Sequence, residues 1–393
     1  MNWIGKICWV LGGIFYISLS LANASDSNTL IQSASIVSPD RHYRIRVLLQ
    51  EIEIEEFKEW KIKAPGFIIF NPEKKTKKTI YENELTITYY KNTFMVNAAK
   101  FDNQPLYIKP LYDHLKFEGK EYQGTFIIII KDKKIYLINS IDIENYVCSV
   151  LRTESWPGWP LEVNKAFAIA SRSYVMGIIT QNRLMALPYH VKNTNKHQTY
   201  AGIHTDSVIQ EAVAQTKGIF LAYENKPIVA MFDSCCGGII PAHIHGINFN
   251  NAPYLAREYA CTFCKGCRMY NWNVRFPLEQ FEQLCKKEYK PLKKLKEVTI
   301  KFDKAGLVQQ VHIKGHNNVF SFSGKKIYSM VEKVKSFCFN IVVSANEVIF
   351  NGKGIGHHLG LCQWGARIMV DQGYDYKSIL SFYYPRTTLM RLQ

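Results

Sequence analysis

Between Arg44 and Ile141 apolar residues recur at about every second position, and from Asp142 onward the spacing becomes that of a helix. RIRVLLQEIEIEEF (44–57), then GFIIFN, LTITYY and TFMVNA within 66–98, read as strands. So do GTFIIII and KIYLINSI, up to residue 141, with Asn, Lys, Gly and Asp marking the turns between them. After Asp142, the residues Ile143, Tyr146, Val147, Val150 and Leu151 form the i, i+3, i+4, i+7, i+8 stripe of a core-facing helix. Further helices are expected over 159–181, where Pro160 suits a first turn, and over 205–217, closed by Gly218. A hairpin is expected across Glu224-Asn225-Lys226 within 219–234, and VTIKFD, VQQVHIKG and VFSFSG add strands farther on. The pattern predicts an α+β fold of mixed helices and mainly antiparallel strands. No internal repeat and no Gly/Ser/Pro linker cuts the chain, so a single catalytic body is expected, with a β-containing subdomain inserted at about 277–325.

The helical stripe ends on an anomaly. Its next position, i+11, holds Glu154, one turn before Trp156-Pro157. A glutamate there either snorkels off the helix end, pairing with Arg152 or Lys165, or is buried beside Trp156 and Trp159. In the second case the ionised form is disfavoured and the pKa rises, which suits a group that delivers a proton near neutral pH. The aromatic neighbours would also suit stacking on sugar faces. The following helix carries Arg172 and Tyr174, readable as a buried bridge and a packing aromatic or as contacts to an acidic group and a sugar hydroxyl. Near the C-terminus, GKGIGHHLGLCQWGA (352–366) surrounds His357, His358 and Gln363 with glycines that let backbone approach a ligand closely. It is not a phosphate loop, because no Gly-Lys-Ser/Thr follows.

The N-terminus bounds the compartment. One lysine, an apolar run from Ile7 to Leu21 and Ala22-Asn23-Ala24 together read as a signal peptide over 1–24, with Ser25 opening a lead-in that runs to residue 43. An uncleaved membrane anchor is the alternative, and it is the one route to membrane association that the sequence offers. The net charge of +16 is spread over scattered lysines, as in EKKTKK (73–78) and YKPLKKLKE (289–297). With an export signal present, that charge points to solvated loops or to an anionic cell-envelope polymer rather than nucleic acid.

Of the ten cysteines, five fall in Cys235-Cys236 and Cys261-x-x-Cys264-x-x-Cys267. Export favours disulfides, whereas C-x-x-C-x-x-C is tight metal-ligand spacing; disulfides, a metal and free thiols all remain open at this level. His243 and His245 are further candidates.

TESWPGWPLEVNKAFAIASRSY, HQTYAG (197–202), TKG (216–218), DSCCGG (233–238) and GIGHHLGLCQWGARIMVDQGYDYKSILSFYYP occur in the order found in stage II sporulation protein D and its amidase-enhancer relatives. The chain resembles that family over about 44–387, leaving 388–393 as a tail. The resemblance implies a peptidoglycan lytic transglycosylase in which Glu154 is the acid/base. It also implies glycan contacts from Arg172, Tyr174, Gln198, Tyr200, Ser234, His357 and Gln363, a preference for peptide-stripped strands, and an amidase as partner. Some members look zinc-binding, and Cys236, Cys261, Cys264 and Cys267 would then supply four thiolates to a structural or cleft-shaping Zn2+. Three positions depart from the family pattern: Asp233 stands for a histidine, His358 for the middle glycine of the final motif, and Cys362 for its serine. Two other classes stay open: a non-catalytic glycan-binding enhancer of an amidase, and a zinc-dependent wall hydrolase, which the absence of His-Glu-x-x-His disfavours.

Overall fold

The computed structural model describes residues 32–34, 43–91, 93–101, 104–181, 187–194, 196–288, 295–315 and 319–392. The expected signal segment lies outside these residues, as do much of the lead-in to residue 43 and part of the basic run at 289–297. The chain is α+β, with most strands paired antiparallel. It divides into two compact units: an N-terminal unit running to Phe220, with 225–229 and the chain end from Leu389, and a C-terminal unit of 221–224 and 230–388.

The two largest sheets lie in the N-terminal unit. The larger follows the order Val191–Lys192, Arg44–Glu53, Lys134–Asp142, Thr125–Lys131, Leu106–Pro110, Phe67–Asn71, Thr76–Ile80. Its long strands pair Ile45 with Ile141 and Val47 with Asn139, and a register shift at Leu137/Ile138 lies opposite Leu48 and Gln50. By simple alternation Leu48 faces away from Ile45 and Val47, into a small cluster with Ile127, Tyr136, Ile138 and Tyr189. Lys134–Asp142 is therefore buried on both faces, which explains its continuous apolar run. The second sheet, with Glu59–Lys63 and Glu84–Tyr90 near its middle, is half-buried instead: Trp60 and Ile62 face in, while Glu59, Lys61 and Lys63 face out.

Three helices follow. Asp142 caps helix α1 (Ile143–Glu154), its Oδ1 accepting the Glu144 amide at 2.9 Å. All five stripe residues of α1 are buried. At its end the Ser155 amide bonds the Leu151 carbonyl at 2.7 Å, and Ser155 itself is extended. Helix α2 (Leu161–Gln181) is buried around most of its circumference between α1 and α3 (Ser207–Gln215), the latter capped by Asp206. Small residues make that position possible: a Cβ on Gly177 would lie 2.6 Å from backbone atoms of Ile228.

In the C-terminal unit, Asn271–Pro277 pairs with Glu347–Lys353, which pairs in turn with Phe339–Val343. A second three-stranded sheet joins Glu297–Phe302, Val308–Lys314 and Val319–Ser323. Together with α4 (Leu278–Glu288) and α5 (Gly324–Met330) they enclose one core that includes Trp272, Phe281, Val311 and Phe350. The β-rich body thus extends over 271–353, beyond the expected 277–325, because its outer strand finds its partner some 75 residues downstream. The remainder carries α6 (Gln363–Asp371), α7 (Tyr376–Tyr383) and a short parallel pairing of Phe232–Asp233 with Leu361–Cys362. Among the described residues no helix is long and apolar enough to cross a membrane.

Candidate functional site

The residues singled out from the sequence fall into two groups, one in each unit. In the N-terminal unit the last residue of α1 is Glu154, and its Oε1 accepts the Thr199 amide at 3.0 Å. The residue retains some exposure, yet its carboxyl group is closely surrounded by protein. Burial raises its pKa above the ordinary 4.5, with the Thr199 contact opposing in part. Thr153 anchors the same loop from below, its hydroxyl donating to the Thr199 carbonyl at 2.7 Å. The half-buried Tyr174, on α2, lies close enough for the Glu154 charge to add to the burial that raises its phenol pKa. Beyond the helix end, Trp156 and Trp159 stack with centroids 6.3 Å apart and line a cavity of about 330 Å³ together with Asn164 and Asp206. Lys165, a possible charge partner, pairs with Glu162 at 2.6 Å.

Other expected contact residues in this unit turn out to be internal. Arg172 is fully buried: Nε and Nη2 donate to the two Glu144 oxygens at 3.1 and 2.5 Å, and Nη1 donates to the Ile219 carbonyl at 2.8 Å. Its guanidinium ties α2 to α1 and to the strand after α3. Glu144 carries no signal in the sequence, because an acidic residue in the first turn of a helix is ordinary helix-start charge. Gln198 and Tyr200 are equally buried. Gln198 accepts from Tyr146 Oη at 3.1 Å, and Tyr200 donates to Asn139 Oδ1 at 2.5 Å while stacking on Tyr146. They hold the loop that presents the Thr199 amide, and no part of either faces outward to meet a sugar. The residue between them, Thr199, contacts Glu154 through its backbone, which carries no side-chain signal.

In the C-terminal unit the parallel pairing sets Asp233 opposite Cys362, so Ser234 and Gln363 follow on adjacent chains, with the Trp364 amide bonded to the Ser234 carbonyl at 3.1 Å. His357 is buried, its Nδ1 accepts the Leu359 amide at 3.0 Å, and burial pulls its pKa down to about 3. Gln363, also buried, opens α6. His358 has φ +68, the left-handed region that favours glycine, which accounts physically for the family's glycine there. Its strained backbone is held from both sides: Asp233 Oδ2 accepts the His358 amide at 2.7 Å, and His358 Nδ1 meets the Cys236 carbonyl at 2.9 Å. Burial raises the Asp233 pKa and lowers that of His358 to about 4. Two of the three departures from the family pattern, Asp233 and His358, therefore contact one another.

The cysteines do not group as the spacing suggested. Sγ atoms of Cys236, Cys261, Cys264 and Cys362 lie within 4.8 Å of one another, all buried. Cys267 lies outside this set, with its sulfur 3.8 Å from Cys235. Cys362 takes the expected place of Cys267 because the parallel strand pairing carries it to the cysteine loop. The exposed His243 and His245 are not in the set.

Comparison with known proteins gives the chain's family. A family model described as stage II sporulation protein matches residues 131–223, the span holding Glu154, α2 and the Thr199 loop. An uncharacterized protein of Brachyspira hyodysenteriae is 30% identical over 335 residues, covering 82% of this chain and 89% of that protein. The amidase enhancer of Bacillus subtilis is 25% identical over 332 residues, 70% of this chain but 45% of the enhancer, so the chain spans under half of that relative. Stage II sporulation protein D of Bacillus subtilis is 24% identical over 274 residues, 64% of this chain and 75% of that protein. The chain belongs to the stage II sporulation protein D family.

Proposed function

We propose that this protein is an exported, envelope-located lytic transglycosylase that cleaves the MurNAc-GlcNAc bond of peptidoglycan. The observation that carries the reading is Glu154: a carboxyl group at the end of an apolar helix stripe, its pKa raised by burial, with one backbone donor on Oε1. A carboxyl held protonated toward neutral pH can give its proton to the glycosidic oxygen as the C1–O bond breaks. The resulting carboxylate then takes the proton of the muramoyl C6 hydroxyl as that oxygen bonds C1. The products are a 1,6-anhydro-MurNAc end and a free GlcNAc hydroxyl, and the glutamate regains its starting state. Because the nucleophile belongs to the substrate, no second carboxylate is needed to activate water. The stacked Trp156 and Trp159 line a cavity that suits a sugar face.

Membership of the family supports a role in cell-wall remodelling, in sporulation or division. A relative's name, amidase enhancer, favours a second reading in which the chain binds glycan and stimulates an amidase without cutting. On either reading an amidase is the proposed partner and peptide-stripped strands the proposed ligand.

Mass spectrometry of digested sacculi separates the readings. Anhydro ends are expected from the wild type, and Glu154→Gln should lower their yield at least about 100-fold. Unchanged yield in that variant would remove Glu154 as the acid/base. Hydrolysed ends would indicate water as nucleophile, and absence of cleavage would favour the binding module.

A further inference from the structure

We propose that Cys236, Cys261, Cys264 and Cys362 bind one zinc ion, and that Cys362 makes this ion the link between the cysteine loop and the Gln-Trp-Gly-Ala motif that opens α6. The inference does not depend on the lytic reading, since it is tested without measuring cleavage.

The spacing of the sulfurs is the first argument. Cys236 and Cys264 Sγ are 3.7 Å apart, and Cys261 and Cys264 Sγ are 3.8 Å apart. Four thiolates at Zn–S distances of about 2.3 Å around a tetrahedral ion would stand about 3.8 Å from one another. A disulfide would need about 2.05 Å, so these sulfurs are packed as ligands rather than as bonded pairs. The donor set is soft, complete and buried, which suits a closed structural site and leaves no position for substrate.

The surroundings supply a second argument. Amides of Cys236 and Gly365 both point to Cys362 Sγ, each at 3.3 Å, and Tyr383 Oη lies 3.2 Å from Cys261 Sγ. Such contacts stabilise negative charge on sulfur. Gly365 belongs to the motif, and a Cβ there would sit 2.9 Å from Cys261 Sγ and 3.3 Å from Cys362 Sγ. The glycine lets backbone close over the cluster. His358 bonds the carbonyl of the ligand residue Cys236, as a supporting residue of a metal site does.

Cys362 is also the N-cap of α6, and Gln363 is the helix's first residue. An ion held by Cys362 therefore fixes where Gln363 is presented. Cys267, which sequence spacing favours, is left beside Cys235 and outside the set of four.

The test uses the purified full chain, expressed reduced and with zinc present. Elemental analysis should find one zinc per chain, and Co2+ exchange should give the charge-transfer absorption of tetrahedral thiolate. Cys267→Ser should retain one zinc, whereas Cys362→Ser should weaken zinc retention against a competing chelator at least tenfold. Cysteine alkylation read by mass spectrometry avoids dependence on a foldable variant: chelation of the wild type should expose Cys236, Cys261, Cys264 and Cys362 together. Zinc lost with Cys267→Ser but kept with Cys362→Ser would overturn the ligand assignment. Two metal ions per chain, iron in place of zinc, or metal-free protein with oxidised cysteine pairs would each overturn the proposal.

Discussion

Replacing Glu144 with alanine should unfold the N-terminal unit far more readily than its position in an exposed-looking first turn suggests. Glu144 Oε1 accepts from Arg172 Nε at 3.1 Å and from the Gly218 amide at 3.0 Å, and Oε2 accepts from Arg172 Nη2 at 2.5 Å. The Arg172 side chain has no exposed surface and that of Glu144 only 16%. Without the carboxylate, the guanidinium keeps its charge in the interior with the Ile219 carbonyl at 2.8 Å and a long contact to Ala168 at 3.5 Å. Leaving one member of a buried pair uncompensated costs about 3–5 kcal/mol. A domain is stable by only about 5–15 kcal/mol, so much of the margin would be lost. The double variant Glu144→Leu/Arg172→Met removes both charges and should recover much of that loss. Equilibrium urea unfolding of the single and double variants, alongside glycan pull-down, reads the outcome. If Glu144→Ala and Arg172→Met unfold like the wild type while glycan binding falls, Arg172 meets substrate and the argument for an internal role fails.

The pH dependence follows from Glu154. Its pKa is raised above 4.5, so the acid needed for the first step persists to higher pH than for an ordinary glutamate, and cleavage should fall as pH rises through the raised value. The same shift means that the folded state holds this proton more tightly than the unfolded chain. The group's stabilisation is complete below 4.5 and is lost as pH rises through the raised pKa, so Glu154→Gln should be at least as stable as wild type at pH 7 in thermal unfolding. A less stable variant would contradict the burial. Gly177→Ala sets helix propensity, a gain of about 1 kcal/mol, against a Cβ placed 2.6 Å from the Ile228 backbone. Overpacking of about 1–3 kcal/mol should prevail, and a stabilised variant in urea unfolding would refute that close approach.

Much of the architecture is legible in local pattern. The change from a two-residue to a helical period falls at Asp142, where the structure places the N-cap, because both signals arise within a few residues of one another. The apolar stripe of α1 reads directly, and with it the misplaced carboxylate at Glu154. What surrounds that carboxylate does not read. The Thr199 amide is 45 residues away and the Arg172 partner of Glu144 is 28 away, and backbone donors carry no residue-type signal. The extent of the β-rich body was likewise hidden, since Asn271–Pro277 completes its sheet with Glu347–Lys353.

The cysteines show the division most clearly. Spacing alone made C-x-x-C-x-x-C the natural ligand run, because residues three apart can turn toward one point. Tertiary structure chose differently: Cys362, 126 residues from Cys236, receives the Cys236 amide on its sulfur, and Cys267 falls outside the set. The sequence by itself determined which chemistries the chain holds, a carboxyl on an apolar face and a set of soft ligands. Only the packing of distant strands decided which of those groups meet, because contact between residues far apart in the chain depends on how whole elements dock, and no local periodicity encodes that.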